Sequence, residues 1–216
     1  MSINLHVSPE SSTSVIHRAA QCIAEGGVLA VGTESFYALA GGALNAPAVT
    51  RVANLKGRSS RKPILALLGD VSQVPLLVES ISPIAEEFMK RFWPGPITLV
   101  LPARTAIPEE LTGGTHMVGV RVPNSGFLRS LLMQTGPLTG TSANRSGEPP
   151  ACSASRVQEQ FGNDLEVILD TGPAPGGRPS TLLEIGESIR LLRQGPVTRR
   201  EIEEVLASQG LNVSIE

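Results

Sequence analysis

The chain has 216 residues, 41% hydrophobic and 18% charged, with a net charge of −2, values of an ordinary soluble globular protein with room for one generous domain. No global basic field recruits nucleic acid, so any anion site has to be local, and an aromatic content of 3% argues against a surface built to stack unpaired bases. The N-terminus has no basic segment leading into an apolar run, which predicts no secretory signal, and no apolar run reaches the roughly 18 residues that span a bilayer.

Helical and strand-like patterns alternate along the chain. Residues 12–25 carry apolar side chains at helical spacing (Val15, Ile16, Ala19, Cys22, Ile23), opened by Ser/Thr caps and closed by Gly26-Gly27. Val28 to Val31 predicts a short strand, 47–56 a helix with Pro47 in its first turn, and Ile64 to Leu68 a second buried strand. Residues 82–92 form an amphipathic helix stopped by Trp93-Pro94-Gly95-Pro96, and Ile97 to Leu101 and Val118 to Val122 are strands. A helix over 125–134 leads to an apolar stub at Pro137-Leu138. Then come a helix at 153–161, strands at 165–169, 181–185 and 189–192, and a closing helix at 198–208. The alternation predicts a single α/β domain over 1–216 with flanking helices around a twisted mixed sheet. The strands at 181–185 and 189–192 lie too close for a crossover helix, so part of that sheet is antiparallel. The Pro/Gly-rich 171–179 segment is the candidate mobile loop.

Cys22 falls in an apolar helical pattern and Cys152 in a polar loop. They form neither a disulfide framework nor metal-ligand spacing, which predicts a reduced, cytoplasmic protein.

Two segments carry chemistry. The first runs from Glu34 to Asp70 with no acid between them, while Arg51, Lys56, Arg58, Arg61 and Lys62 crowd its centre. A solvated surface is the plain reading of such a run. Here it precedes a buried strand in a loop with Gly57, Ser59 and Ser60, where Arg forks and Lys point charges suit phosphate oxygens. At its opening, Thr33, Glu34 and Ser35 put three side-chain oxygens in a row after the first strand. The second segment is Gly140-Thr141-Ser142-Ala143-Asn144-Arg145-Ser146-Gly147. It is poor material for a core and good material for a loop that wraps an anion. No Walker loop, dinucleotide-binding glycine motif or nucleophile elbow occurs. His6, His17 and His116 are scattered, and no residue set suggests a metal centre. A site rich in Arg, Lys, Ser, Thr and Asn suits phosphoryl or nucleotidyl transfer, where catalysis is mostly positioning and charge stabilisation. Arg121 interrupts the apolar Val118–Val122 strand. It is a sheet-edge residue, pairs with Glu34 as structure, or offers a fork to a substrate carboxylate.

Together these motifs resemble the YrdC-like family, the threonylcarbamoyl-adenylate synthases of tRNA modification, over about residues 12–197. The matching pieces are Thr33-Glu34-Ser35-Phe36-Tyr37, Lys56-Gly57-Arg58, Trp93-Pro94-Gly95-Pro96-Ile97-Thr98 and Val118-Gly119-Val120-Arg121-Val122-Pro123. Thr141-Ser142-Ala143-Asn144-Arg145-Ser146-Gly147, Pro179-Ser180-Thr181 and Arg193-Gln194-Gly195 complete the series. The resemblance implies the short, single-domain form of an enzyme that joins L-threonine, bicarbonate and ATP, with Mg2+, into threonylcarbamoyl-AMP and pyrophosphate. A threonylcarbamoyl-transferase complex would then act on tRNA. It implies that Lys56, Arg58, Ser142 and Asn144 form a catalytic tetrad around the ATP phosphates. Lys62 and Arg193 would join the nucleotide side, while Ser35, Arg121 and Ser180 hold threonine. Against the usual family pattern stand Gly32 for Pro, Ser35 for Thr, Ala38 for Gly, Ser59 for Pro, Lys62 for Asn or Asp, and Pro179 for Glu. Met117 replaces a hydroxyl residue, and Leu67 the His of some longer members. The competing readings are a double-stranded RNA or tRNA-binding, ribosome-associated module, and a paralogue with altered substrate. The intact Ser142-Ala143-Asn144 and the net charge of −2 favour the enzyme.

Overall fold

The computed structural model describes residues 2–57, 62–186 and 188–210. Its strands are β1 (Ile3–His6), β2 (Leu29–Gly32), β3 (Tyr37–Ala40), β4 (Ala66–Leu67), β5 (Ile97–Pro102), β6 (Met117–Arg121), β7 (Leu138–Thr139), β8 (Thr141–Ser142), β9 (Val167–Asp170), β10 (Thr181–Ile185) and β11 (Ile189–Arg193). The helices are α1 (Ser12–Ala24), α2 (Ala46–Lys56), α3 (Pro83–Phe92), α4 (Glu109–Thr112), α5 (Gly126–Thr135), α6 (Ala154–Phe161) and α7 (Arg199–Ser208). Among the described residues no helix is long and apolar enough to cross a membrane.

The helices start where short polar side chains can take up orphan N–H groups. Asn45, Ser82, Ser125, Ser153 and Thr198 each accept from the first turn of the helix that follows, and Thr198 and Glu201 form a reciprocal capping box. Helix α2 ends because Gly57 takes a left-handed conformation, φ 61°. That stop leaves Lys56 as its last residue.

The expected mixed parallel and antiparallel pairing is present, divided between two sheets rather than gathered in one. One runs β1-β9-β2-β3-β8 and the other β11-β10-β5-β6-β4-β7. The division comes from the segment read as a stub followed by a loop. Leu138-Thr139 pairs antiparallel with β4 in the second sheet, and Thr141-Ser142 pairs antiparallel with β3 in the first. Gly140 makes the switch. A Cβ there would lie 2.5 Å from Leu67 Cγ, so the crossing needs a residue without one. Strands β1, β3 and β8 were not expected: β1 is mostly exposed, and β8 is two polar residues. The pair β10–β11 is antiparallel, as its short connection requires.

Alternation along the second sheet gives it two faces. Ile97, Leu99, Leu101, Val118, Val120, Leu183 and Ile185 enter the larger core with Phe88, Ile202 and Leu206. The other face carries Val100, Met117, Gly119, Arg121, Leu182, Glu184, Arg190 and Leu192, and these line a cavity.

Candidate active site

The cavity holds about 680 Å3 between the second sheet and the β3–β8 edge of the first. Lys56, Ser142, Ser35, Arg121, Ser180 and Arg193 all line it. Residues predicted from segments far apart in the chain thus meet in one place.

At one wall the last turn of α2 delivers Lys56, only 8% exposed. Its ammonium donates to Ser142 O at 2.6 Å, Ser142 Oγ at 2.9 Å and Asn144 Oδ1 at 2.5 Å. Asn144 is buried and does not line the cavity. Its amide donates to the carbonyls of Arg145 and Glu148, which holds the turn closed. Ser146 N–H donates to Lys56 O at 2.8 Å, tying this loop to the end of α2. Arg58 and Arg61 lie outside the described residues. Lys62 is exposed and is not among the lining residues. Arg51 belongs elsewhere: it pairs with Glu166 at 2.8 Å, so for this cation the plain surface reading holds.

The inner end is built by the turn after β2. Thr33 Oγ1 donates to Phe36 O at 2.7 Å and accepts from the N–H of Ser35 at 3.2 Å. This side-chain turn sets Ser35 on the cavity wall. Tyr37 packs beneath, fully buried, donating its hydroxyl to Gly172 O at 2.7 Å. Burial pushes its phenol pKa up. The 171–179 segment expected to be mobile is fastened here: Gly176 N–H donates to Ser35 O at 2.7 Å and Ala174 N–H to Cys152 O at 2.8 Å.

Arg121 is 5% exposed. Its Nη1 lies 3.0 Å from Glu34 Oε1. Burial lowers the Arg121 pKa and the Glu34 carboxylate works against that. The contact is an ion pair by distance without hydrogen-bond alignment. Both Glu34 oxygens and Arg121 Nε are buried with no hydrogen-bond partner among the described residues. Such unsatisfied groups are rare in native interiors and call for a physical cause such as strain, a functional role or an ordered water. Of the sequence readings of Arg121, the sheet-edge one fails because β6 lies between β5 and β4, while the pairing with Glu34 is present and the guanidinium also faces the cavity.

Arg193 reaches the cavity through a β-bulge. Leu182 pairs with Arg193 but Leu183 with Leu191, so an extra residue enters β11. Plain alternation would turn Arg193 to the core side; the bulge re-aims it. Its Nε and Nη2 donate to Ser180 O at 3.1 and 2.9 Å. Ser180 Oγ lies 2.8 Å from Thr98 Oγ1. The outer floor is apolar, with Val100, Met117, Leu182 and Leu192 beside the Glu184–Arg190 ion pair at 2.5 Å. Thr98 and this ion pair were missed. Their signal in the chain is a polar residue on the minor face of an otherwise apolar strand, and Thr98 also closes the Trp93–Thr98 motif without being given a role there. No group of three or more His, Cys, Asp or Glu among the described residues could hold a metal ion.

A cavity with a buried lysine at one wall and a buried arginine at its inner end, set in a two-sheet α/β frame, has the chemistry to bind anions. The chain belongs to the Sua5/YciO/YrdC family, whose model, described as telomere recombination, matches residues 21–195. It is 37% identical to the threonylcarbamoyl-AMP synthase of Pyrococcus abyssi over 95% of this chain and 61% of that protein. It is 36% identical to the threonylcarbamoyl-AMP synthase of Bacillus subtilis, over 93% of this chain and 59% of that protein. The chain therefore spans about three-fifths of the length of these relatives. The crystal structure of P. abyssi Sua5 complexed with L-threonine superposes with a TM-score of 0.90 at 35% identity, covering 100% of this chain and 62% of that one.

Proposed function

We propose that this chain is an L-threonylcarbamoyladenylate synthase. It would form threonylcarbamoyl-AMP and pyrophosphate from L-threonine, bicarbonate and ATP, a nucleotidyl transfer. The observation that carries the reading is that Lys56 and Ser142, joined at 2.9 Å, share one cavity with the buried Arg121. The threonine bound by the P. abyssi relative supports the same substrate here.

Lys56, Arg58, Ser142 and Asn144 act on the triphosphate, with Lys62 and Arg193 on the nucleotide side. Of these, Asn144 works through Lys56 and Ser142, since it sits behind them. Arg121 receives the threonine carboxylate, and Ser35 and Ser180 fix the rest of the amino acid. The threonine amine forms a C–N bond to bicarbonate carbon with loss of water, giving a carbamate. A carbamate oxygen then bonds to the α-phosphorus as the bond to pyrophosphate breaks. The cations offset charge that builds on the departing phosphates. Mg2+ would travel with the triphosphate: Glu184, which lines the cavity, and Glu34, which lies behind Arg121, are each paired with an arginine. Among the described residues there is no carboxylate cluster to hold it.

The product is an activated donor for a threonylcarbamoyl-transferase complex acting on tRNA adenosine. The reaction belongs in the cytoplasm, where the free thiols Cys22 and Cys152 stay reduced. Pyrophosphate release tests the reading when ATP, L-threonine and bicarbonate are omitted in turn. Release that requires all three is expected. Release without threonine overturns the substrate assignment.

A further inference from the structure

Thr98 is a buried hydroxyl in a strand that otherwise reads Ile-Leu-Val-Leu, and the assignments above give it no task. It is fully buried on β5, and its hydroxyl has one hydrogen-bond partner among the described residues, Ser180 Oγ at 2.8 Å. Its methyl is wedged against Gly119. A Cβ built on that glycine would come within 3.3 Å of Thr98 Cγ2. With χ1 already stiff in a β-branched residue, the hydroxyl is locked toward Ser180. Valine would fill the same volume without a polar group to satisfy.

The direction of the Thr98–Ser180 bond follows from counting protons. Ser180 Oγ also lies 3.3 Å from Arg193 Nη2, a group that can only donate. If Ser180 donated to Thr98, the Thr98 proton would be buried with no acceptor, a costly arrangement. If Thr98 donates, Ser180 Oγ accepts from both Thr98 and Arg193, and its own proton is left for the cavity that Ser180 lines. Every donor is then satisfied once an acceptor arrives.

We propose that Thr98 is a positioning residue that fixes the polarity of Ser180, so that Ser180 presents a proton to the cavity and recognises an acceptor oxygen of the amino-acid substrate, its carboxylate. The identity of that ligand rests on the synthase reading; the polarity rests on the geometry alone. The carboxylate is then held from two sides, by the Arg121 fork and by the Ser180 hydroxyl. Arg193 reaches the same serine from the nucleotide side.

Calorimetric titration of L-threonine, with a non-hydrolysable ATP analogue present, tests this on wild type, Thr98→Val, Thr98→Ser, Ser180→Ala and the Thr98→Val/Ser180→Ala double variant. Thr98→Val and Ser180→Ala are each expected to weaken threonine binding by about tenfold, the size of one lost hydrogen bond. The double variant should be no weaker than Ser180→Ala alone, and Thr98→Ser should recover wild-type affinity. The ATP analogue should bind all five proteins alike. Wild-type threonine affinity in Thr98→Val, or equal weakening of threonine and analogue, overturns the proposal. A second readout needs no ligand. In threonine-labelled wild-type protein, NMR should show a slowly exchanging Thr98 hydroxyl proton close to the Ser180 β-protons, absent from Ser180→Ala. If wild type fails to bind threonine but shows this proton, the substrate reading fails and the polarity stands. If threonine binds and the proton is missing, the polarity is wrong.

Discussion

Lys56 and Asn144 are 88 residues apart in the chain and 2.5 Å apart in the fold. The end of α2 and the turn after β8 therefore meet through one ammonium group. With Ser142 O and Oγ also within hydrogen-bond reach, Lys56 does two things at once. It brings positive charge to the cavity wall, and it holds the Ser142–Asn144 turn in shape.

Lys56→Ala should for that reason cost stability as well as activity. It removes the donor to Ser142 O and Ser142 Oγ, while Asn144 Oδ1 keeps its bond from the Ser142 hydroxyl at 2.7 Å, and a buried acceptor that loses its donor costs roughly 1–3 kcal/mol. Urea unfolding should show a reduced stability alongside abolished pyrophosphate release. A variant of unchanged stability would mean that the turn holds itself.

Arg121→Lys is expected to raise the apparent threonine requirement by roughly tenfold or more, with little change for ATP, because one ammonium cannot reproduce a planar fork. The competing account makes Arg121 only a partner for Glu34. It predicts a lower melting temperature and unaltered threonine titration. Both measurements on the same variant separate the two.

The two cysteines should differ sharply in reactivity. Cys152 is exposed, whereas burial first, then the charge of Glu166, pushes the Cys22 thiol up to about 11. A thiol reagent at neutral pH should label one cysteine in the folded protein and both after denaturation. The folded pKa of Cys22 lies above its ordinary 9.0, so the fold binds this proton more tightly than the unfolded chain does. Its contribution to stability is complete below pH 9.0 and is lost as pH rises toward about 11. Cys22→Ala should flatten that alkaline fall in a series of melting temperatures.

Gly140→Ala should distort the crossing between the sheets. The new Cβ would meet Leu67 Cγ at 2.5 Å and Leu65 Cδ1 at 2.7 Å. Overpacking of this kind costs roughly 1–3 kcal/mol. Since Gly140 and Leu65 also line the cavity, substrate affinity should fall with stability. An alanine variant with wild-type melting would show that the two leucines can move aside.

The elements with a strong period were legible in the chain. Val118, Val120, Leu99 and Leu101 alternate into the core, and five helix starts carry Ser, Thr or Asn side chains that cap them. The Ser/Thr cap expected at α1 is not made: Ser11 makes no side-chain capping bond there. What could not be read was non-local. Thr141-Ser142 has no apolar residue to announce a strand, and its pairing is decided by β3, some hundred residues earlier in the chain, as the bond from Thr139 Oγ1 to Leu39 O across 100 residues illustrates. The two-sheet division turns on Gly140, which looks like any other loop glycine. For Arg193, alternation alone gives the wrong face, since only the bulge against Leu182 turns it inward. Arg51 was grouped with the site cations by sequence distance, yet the turn of α2 carries it toward Glu166. Arg58, central to the expected tetrad, lies outside the described residues.

The central claim is that this cavity makes a carbamoyl-adenylate of threonine, and isotope tracing of the product tests it most directly. The protein is incubated with ATP, L-threonine and 13C-labelled bicarbonate, and the nucleotide products are weighed by mass spectrometry. The account predicts an AMP adduct that carries both the threonine mass and the heavy carbon, absent with Lys56→Ala. An adenylate of threonine without the heavy carbon, or ATP cleaved to pyrophosphate with no adduct at all, would contradict it.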